Sequence, residues 1–326
     1  KYDTINNSEE MAKSRIGIDI MGGDFAPQTT IEGSIQAHQE YADSIDLVLI
    51  GDEKIIREEL QKHNYPAENF TIVHASQTIE MGEHPTKTFV KKPDSSIAVG
   101  FHLLKDKKID GFASAGSTGA MFVGGYMIVK AIPGVLRPCL TSVMPKLDGG
   151  VNVMLDVGAN ADCKPDVLYQ FGILGSLFAQ HVCGIEEPKV KLVNIGEEEG
   201  KGNMLSVAAY ELMKDSEDFD FQGNIESNKL FSDSCDVIVC DGFTGNIILK
   251  QAEGAFSMLK ERNINDEYFE KFNYENYGGI PVLGLNKTVI IGHGISNGKA
   301  IKNMIVLTAD VAEANLPDKI LNTFNK

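Results

Sequence analysis

Cationic residues are in short supply in this chain. Its 326 residues hold 30 Lys and Arg against 46 Asp and Glu, a formal net charge of −16. A nucleic-acid duplex is held mainly by Lys and Arg neutralising its phosphates, so this balance disfavours a nucleic-acid partner. Cysteine is sparse and odd in number. Cys139, Cys163, Cys183, Cys235 and Cys240 show no paired metal spacing, which points to free thiols in a reducing compartment and to no resident metal. Long apolar runs are missing too: stretches such as 121–129 fall well short of the ~20 residues a helix needs to cross a bilayer. Neither G-x-x-x-x-G-K-[ST] nor a G-x-G-x-x-G after the first strand is present, and Gly292-x-Gly294-x-x-x-Gly298 has the wrong last spacing. No nucleotide cofactor is therefore expected.

What is present is ordinary globular composition, 43% hydrophobic and 23% charged, in a length that allows one large or two intimately joined α/β domains. Residues 1–10 are polar and read as a tag remnant or frayed extension; 11–326 read as a single elaborated domain without repeats or linkers. Short β-rich runs alternate with stretches of helical period. Strands are expected at 15–20, 46–50, 70–74, 111–115, 140–144, 152–156, 191–195, 221–225, 236–240 and 289–292. Helices are expected at 27–41, 53–63, 95–107, 118–131, 165–182, 203–214, 245–262 and 297–313. Runs such as Val237-Ile238-Val239 do not alternate, as befits strands covered on both faces. The fold class is α/β, a three-layer α/β/α arrangement around a mostly parallel sheet. The charged, aromatic segment 260–279 reads as a lid, a dimer contact or a solvated connector.

Six expected strands end in a glycine turn with small polar residues. In a parallel sheet such ends share one edge, so the six turns are expected to converge on one cleft. Glycine lets backbone N–H groups approach a ligand closely, and a following helix N-terminus favours an anion. The candidate phosphate- and substrate-binding residues are accordingly Gly22, Gly23, Asp24, Gly116, Ser117, Thr118, Gly119, Asp156, Asn194, Gly196, Glu197, Asp241, Gly242, Gly245 and Asn246. Each turn alone is also an ordinary strand-to-helix connection, and the scattered aspartates suit backbone capping better than metal binding. His293, between two glycines at a strand end, and Lys250, one to two turns into a helix, are candidate catalytic groups together with Asn160. Lys87, Lys91, Lys92, Lys105 and Lys108 form the densest basic region and read either as a solvated face or as a docking patch for an acidic partner.

The blocks IDIMGGDFAP (18–27), SAGSTGA (114–120), LDVGANADC (155–163), NIGEEEGKG (194–202), CDGFTGNIILK (240–250) and IGHGIS (291–296) resemble, in order and over nearly the whole chain, the phosphate acyltransferase family usually called PlsX. The resemblance implies a fold similar to the isocitrate/isopropylmalate dehydrogenases and phosphotransacetylases, and a homodimer. It implies transfer of a fatty acyl group from acyl-carrier protein to inorganic phosphate, giving acyl phosphate for phospholipid synthesis. A downstream acyl-phosphate:glycerol-3-phosphate acyltransferase would consume the product. Phosphate would sit at Ser117–Gly119, with Lys250 and His293 holding it or the oxyanion and Asn160 and Asn246 donating hydrogen bonds. An acyl groove lined by Met121, Phe122, Tyr126 and Met127 is expected. Departures are Ser117, where many members have Asn, Val90, where Arg is common, and a shorter segment between 262 and 277. The last leaves a cytoplasmic protein at most weakly peripheral at the inner face of the membrane. A phosphotransacetylase-like acyl-CoA enzyme, an NAD-dependent decarboxylating dehydrogenase and a regulatory anion-binding protein remain alternatives on the same fold.

Overall fold

The computed structural model describes residues 13–325; the expectation for residues 1–10 lies outside them. In chain order the elements are β1 (Ser14–Asp19), α1 (Gln28–Tyr41), β2 (Ile45–Gly51), α2 (Glu53–Lys62), β3 (Thr71–His74), α3 (Pro85–Lys91), α4 (Ser96–Lys105), β4 (Gly111–Ser114) and α5 (Thr118–Gly124). Then follow β5 (Cys139–Pro145), β6 (Val151–Leu155), α6 (Pro165–His181), β7 (Lys189–Asn194), α7 (Met204–Met213), β8 (Asp220–Glu226), β9 (Val237–Val239), α8 (Gly242–Glu261) and α9 (Glu267–Glu270). The chain closes with β10 (Gly279–Leu283), β11 (Thr288–Gly292), α10 (Gly298–Glu313) and α11 (Leu316–Phe324).

The strands form one sheet in the order β3-β2-β1-β4-β11-β10-β5-β6-β9-β7-β8. Apolar residues point alternately to its two faces. Ile16 and Ile18 of β1, Val153 and Leu155 of β6, and Val237 and Val239 of β9 enter one core with α1, α6 and α10; Ile50, Met154, Ile238 and Ile291 enter the other with α4 and α5. Burial on both faces is why these runs are apolar without alternation. The fold is thus a mixed α/β one with a large, mostly parallel sheet between helical layers.

Strand direction is where the structure departs from the sequence reading. β10 runs antiparallel to both β11 and β5, and β5 antiparallel to β6. The parallel group β3, β2, β1, β4 and β11 therefore runs one way, and the parallel group β6, β9, β7 and β8 the other. The six glycine turns do not share an edge. Those after β1, β4 and β11 lie on one side, and those after β6, β7 and β9 on the opposite side. β10 itself was not expected, because Pro281 argues against a central strand. It is accommodated just beyond the two residues that pair with β5, Val282 with Leu140 and Leu283 with Cys139. Above that short contact β5 continues to pair with β6 as far as Pro145, while Gly279 to Pro281 pair only with β11. The sheet splits open there.

Smaller differences have local causes. The expected helix at 118–131 is α-helical only to Gly124 and then a π-turn from Gly125 to Val129, ended by Lys130 at φ 70°. α3 and α11 were not expected; each opens on a proline in its first turn, where a missing N–H does no harm.

The second half is locked by a buried ion pair. Lys146 Nζ donates to Asp236 Oδ1 at 2.6 Å, and Asp236 Oδ2 accepts the Lys189 N–H at 2.9 Å. Lys146 is buried. Replacing Asp236 by Ala would strand that ammonium and an orphan N–H, and should cost about 3–5 kcal/mol of stability, read as a lower urea midpoint at unchanged slope.

Candidate active site

A cleft of about 330 Å³ occupies the split between β5 and β10. One wall is the turn after β11 with Gly292, His293 and Gly294; facing it are Asn246, Leu249, Lys250 and Glu253 of α8. Thr118 at the start of α5, Met81 and Gly158 complete the rim. Helix α8 makes this possible. It starts at the far edge after β9 and runs back along the sheet, carrying residues of the second half toward the turns of the first.

The segment after α8 closes the mouth. Tyr268 donates its hydroxyl to the Pro145 carbonyl at 3.2 Å, and Phe272 packs edge-on against Phe231 at 5.3 Å between ring centres. Further on, Tyr274 donates to the Ile295 carbonyl at 3.2 Å, and the Glu275 carboxylate and carbonyl accept from Asn297 and Asn303 at 2.8 and 2.7 Å. One end of this strap is therefore fixed to β5 and the second half, the other to β11 and α10. Phe272, Tyr274 and Tyr277 line the cleft beneath it.

His293 is half-buried, with the Tyr274 ring 5.2 Å from its own at 38°. Burial, reinforced by the Lys250 ammonium and opposed by Glu253 and Asp24, lowers its pKa below the ordinary histidine value. The imidazole is neutral near pH 7 and can accept a proton. Lys250 is exposed to the cleft and paired with Glu253 at 2.7 Å. It is the only Lys or Arg among the lining residues.

Of the sequence candidates, His293, Lys250, Asn246 and Thr118 line this cleft together. Gly22, Gly23, Asp24, Gly116, Ser117 and Gly119 stand behind it. The Asp24 N–H donates to the Gly294 carbonyl at 2.8 Å, and Ser117 caps α5 by accepting from the Ala120 N–H at 3.3 Å. Asn160 turns away from the cleft. It is buried, and its amide donates to the Pro138 carbonyl and to Asp156 Oδ2, each at 2.8 Å, so no donor is left for substrate. Asp156 is likewise enclosed, accepting from the N–H groups of Leu140, Gly158, Ala159 and Asn160. Gly242 and Gly245 let α8 come close to this turn; the Gly242 N–H donates to the Asn160 carbonyl at 2.7 Å. Asn194 and Asp241 belong to a separate groove of about 580 Å³ at the opposite edge, with Gly196 and Glu197 on its adjoining loop. The reversed strand direction is the reason.

The basic region divides as well. Lys87 and Lys91 are exposed on α3, which packs beside α5 at the cleft side, whereas Lys92 is held by Glu83 and the Thr78 carbonyl, each at 2.7 Å. Lys105 and Lys108 sit at the other end of α4, beside the start of β1, where Arg15 pairs with Asp110 and the Lys107 carbonyl. A ten-residue helix, roughly 15 Å, separates the two groups. The expected groove residues also lie elsewhere: Met121 is wholly buried in core, and Tyr126 and Met127 face solvent.

Sequence reasoning missed Asp19, Ser142, Glu253 and the strap aromatics. Asp19 is buried at the end of β1, accepting from the Ser114 hydroxyl at 2.6 Å and the Met21 N–H at 3.0 Å; Ser114 in turn accepts from the Gly116 N–H. Burial raises its pKa, with those bonds opposing the shift. Its signal was a carboxylate closing an apolar run inside IDIMGGD.

Comparison with solved structures places this fold with the phosphotransacylases. EutD phosphotransacetylase from Staphylococcus aureus superposes with a TM-score of 0.64 at 18% identity, covering 92% of this chain and 94% of that one. A branched-chain phosphotransacylase from Enterococcus faecalis V583 gives 0.62 at 12% identity, covering 92% and 99%. The family described as "Fatty acid synthesis protein" matches residues 14–319. A phosphate acyltransferase from Halothermothrix orenii is 41% identical over 333 residues, 96% of this chain and 99% of that protein; one from Clostridioides difficile is 42% identical over 310 residues, 89% and 90%. The chain belongs to this fatty acid synthesis family, PlsX, and is an acyltransferase.

Because Lys250 holds the His293 pKa down, replacing it by Gln should move the His293 titration midpoint upward. Burial, the larger cause, should keep the midpoint below the ordinary value of about 6.5. Proton NMR of the imidazole resonances across pH 5 to 8 reads both effects. Since the folded state prefers neutral His293, this group subtracts stability as pH falls below that ordinary value.

Proposed function

We propose that this chain transfers a fatty acyl group from the thioester of an acyl-carrier protein to inorganic phosphate. The observation that carries this reading is the pairing, in one cleft, of a lone ammonium and a neutral imidazole with a mostly apolar chamber. A phosphate oxygen attacks the thioester carbonyl carbon, the carbonyl electrons move onto oxygen, and the tetrahedral species collapses by breaking the C–S bond. Acyl phosphate and the carrier thiolate leave. Phosphate near neutral pH is already nucleophilic and a thiolate departs without a strong acid, so orientation and charge stabilisation are the main requirements.

Lys250 draws phosphate in and offsets the charge developing on the carbonyl oxygen. His293, neutral and held against Tyr274, takes the proton that phosphate gives up and returns it to the departing sulfur. The Thr118 hydroxyl on the rim and the Asn246 amide on the α8 wall, with the hydrogen that its bond to the Val157 carbonyl leaves free, donate to the phosphate or the oxyanion. Coenzyme A thioesters are a second donor class, favoured by the phosphotransacylase fold. An acidic carrier approaching a protein of net charge −16 needs local cations; Lys87 and Lys91 on α3 supply them at the cleft side. The protein acts as a homodimer at, at most, the periphery of the membrane, passing acyl phosphate to a glycerol-3-phosphate acyltransferase. Among the described residues no helix is long and apolar enough to cross a bilayer.

Incubation with acyl-carrier protein thioester and phosphate should release the free carrier thiol and form acyl phosphate, seen as hydroxylamine-trapped hydroxamate above the background that the thioester itself gives without enzyme; no increase on adding phosphate would refute the reading. Lys250→Ala should lower kcat/KM by roughly 10²-fold or more. The pair Lys87→Gln and Lys91→Gln should raise KM for the acylated carrier several-fold, most strongly at low salt, and leave KM for an acyl-coenzyme A donor unchanged. Equal effects on both donors would remove the docking role from α3.

A further inference from the structure

The family activity needs a place for a fatty chain, and the residues that the sequence suggested for it do not provide one. The split in the sheet does. Leu140, Ser142 and Met144 alternate along β5 with Thr141 and Val143, so they share a face. Across the slot, Val282 pairs with Leu140, which sets Ile280 level with Ser142 two residues above the point where the strands meet. Leu140, Met144, Val282 and Ile280 all belong to the core on the α8 side, as does Leu249 of α8 itself. Phe272 of the strap lies over them. The chamber so formed is closed below by the Leu140–Val282 pair. It opens toward His293 on β11, two strands from β5 and roughly 10 Å across the sheet.

Resting on the acyl-transfer reading above, we propose that this slot between β5 and β10 receives the acyl chain, and that Ser142 and Ile280, facing each other across it, set the chain length accepted. Two features of the slot favour an aliphatic occupant over a polar one. Its walls are aliphatic or aromatic apart from Ser142, so burying a chain there removes apolar surface from water at about 0.8 kcal/mol per methylene, about fourfold in binding. Of its polar groups, Lys250 and Glu253 act on His293 at the end where the thioester would lie, while Asn246 stands lower, its amide donating to the Val157 carbonyl at 3.2 Å beside Leu140. The depth is fixed by strand pairing, which a chain cannot push aside without breaking the ladder.

The test is a ladder of saturated acyl-coenzyme A and acyl-carrier protein donors from octanoyl to stearoyl, with kcat/KM measured for wild type, Ser142→Phe and Ile280→Ala. Ser142→Phe fills the slot: activity with octanoyl donors should persist, while kcat/KM falls by about fourfold or more for each methylene displaced. Ile280→Ala enlarges it, and the preferred chain should lengthen. KM for phosphate, measured with a short donor, should stay within about twofold of wild type in both. Thermal unfolding checks that each variant is folded, and the two opposite shifts keep the test intact if one is not. A uniform loss across all chain lengths, or an unchanged preference in both folded variants, would overturn the assignment of the chain to this slot. Failure of the wild type to transfer any of these acyl groups to phosphate would instead defeat the acyl-transfer reading itself.

Discussion

Three antiparallel contacts govern this molecule: β10 against β11, β5 against β10, and β5 against β6. By reversing strand direction three times in the middle of an eleven-stranded sheet, they leave a parallel group of five strands pointing one way and a parallel group of four pointing the other. The contact between β10 and β5 extends over only two residue pairs. Beyond it each strand has an edge that pairs with nothing, and such edges are unstable unless covered or used. The strap covers this one. Its Tyr268 hydroxyl meets the Pro145 carbonyl on the β5 side, and its far end is tied to the β11 turn and to α10. The cleft exists because the sheet fails to close there, and it stays a cleft because the strap and α8 hold its sides.

The same geometry concentrates charge. On the acyl-transfer reading proposed above, an acidic protein that binds phosphate has a background repulsion to overcome, and one lysine lines the cleft to oppose it. Lys250 shares its charge with Glu253, so the local field is moderated, yet it still depresses the neighbouring histidine. A neutral imidazole beside a cation suits a reaction in which a proton must leave phosphate and a thiolate must later be protonated. A more basic cleft would hold phosphate and product alike, binding that gives no rate advantage once both are retained.

Much of this was legible in the sequence, and the illegible part has one cause. Apolar runs at Val237 to Val239 and Val153 to Leu155 betrayed buried strands because burial on both faces requires it. The turns at Gly22, Gly116 and His293 betrayed strand ends because their chemistry is local. Direction is not local. Nothing within Cys139 to Pro145 states that this strand runs against both its neighbours, and Pro281 hid β10 altogether. With direction unknown, six turns were read onto one edge, which brought Asn194 and Asp241 into a site they do not share. The same blindness joined Lys105 and Lys108 to Lys87 and Lys91, which are separated by the length of α4. His293 and Lys250 meet because α8 happens to cross back over the split, a fact of tertiary packing that their spacing cannot convey.

The carboxylates that end the strands show what such motifs are for. Asp156 looks like a ligand-binding residue in LDVGANADC, yet its two oxygens are occupied by the backbone of its own turn and of Leu140. Asp19 does the same work beside Gly22, fixing the Gly116 N–H through Ser114. Burying a carboxylate is unfavourable unless hydrogen bonds compensate, so each of these groups can persist only where the turn holds its donors in place, and the turn in turn is held by them. A motif rich in strand-end aspartates is therefore a device for rigidity. The groups that line the cleft come from elements laid across those rigid turns: the imidazole after β11, the ammonium of α8 and the aromatic strap.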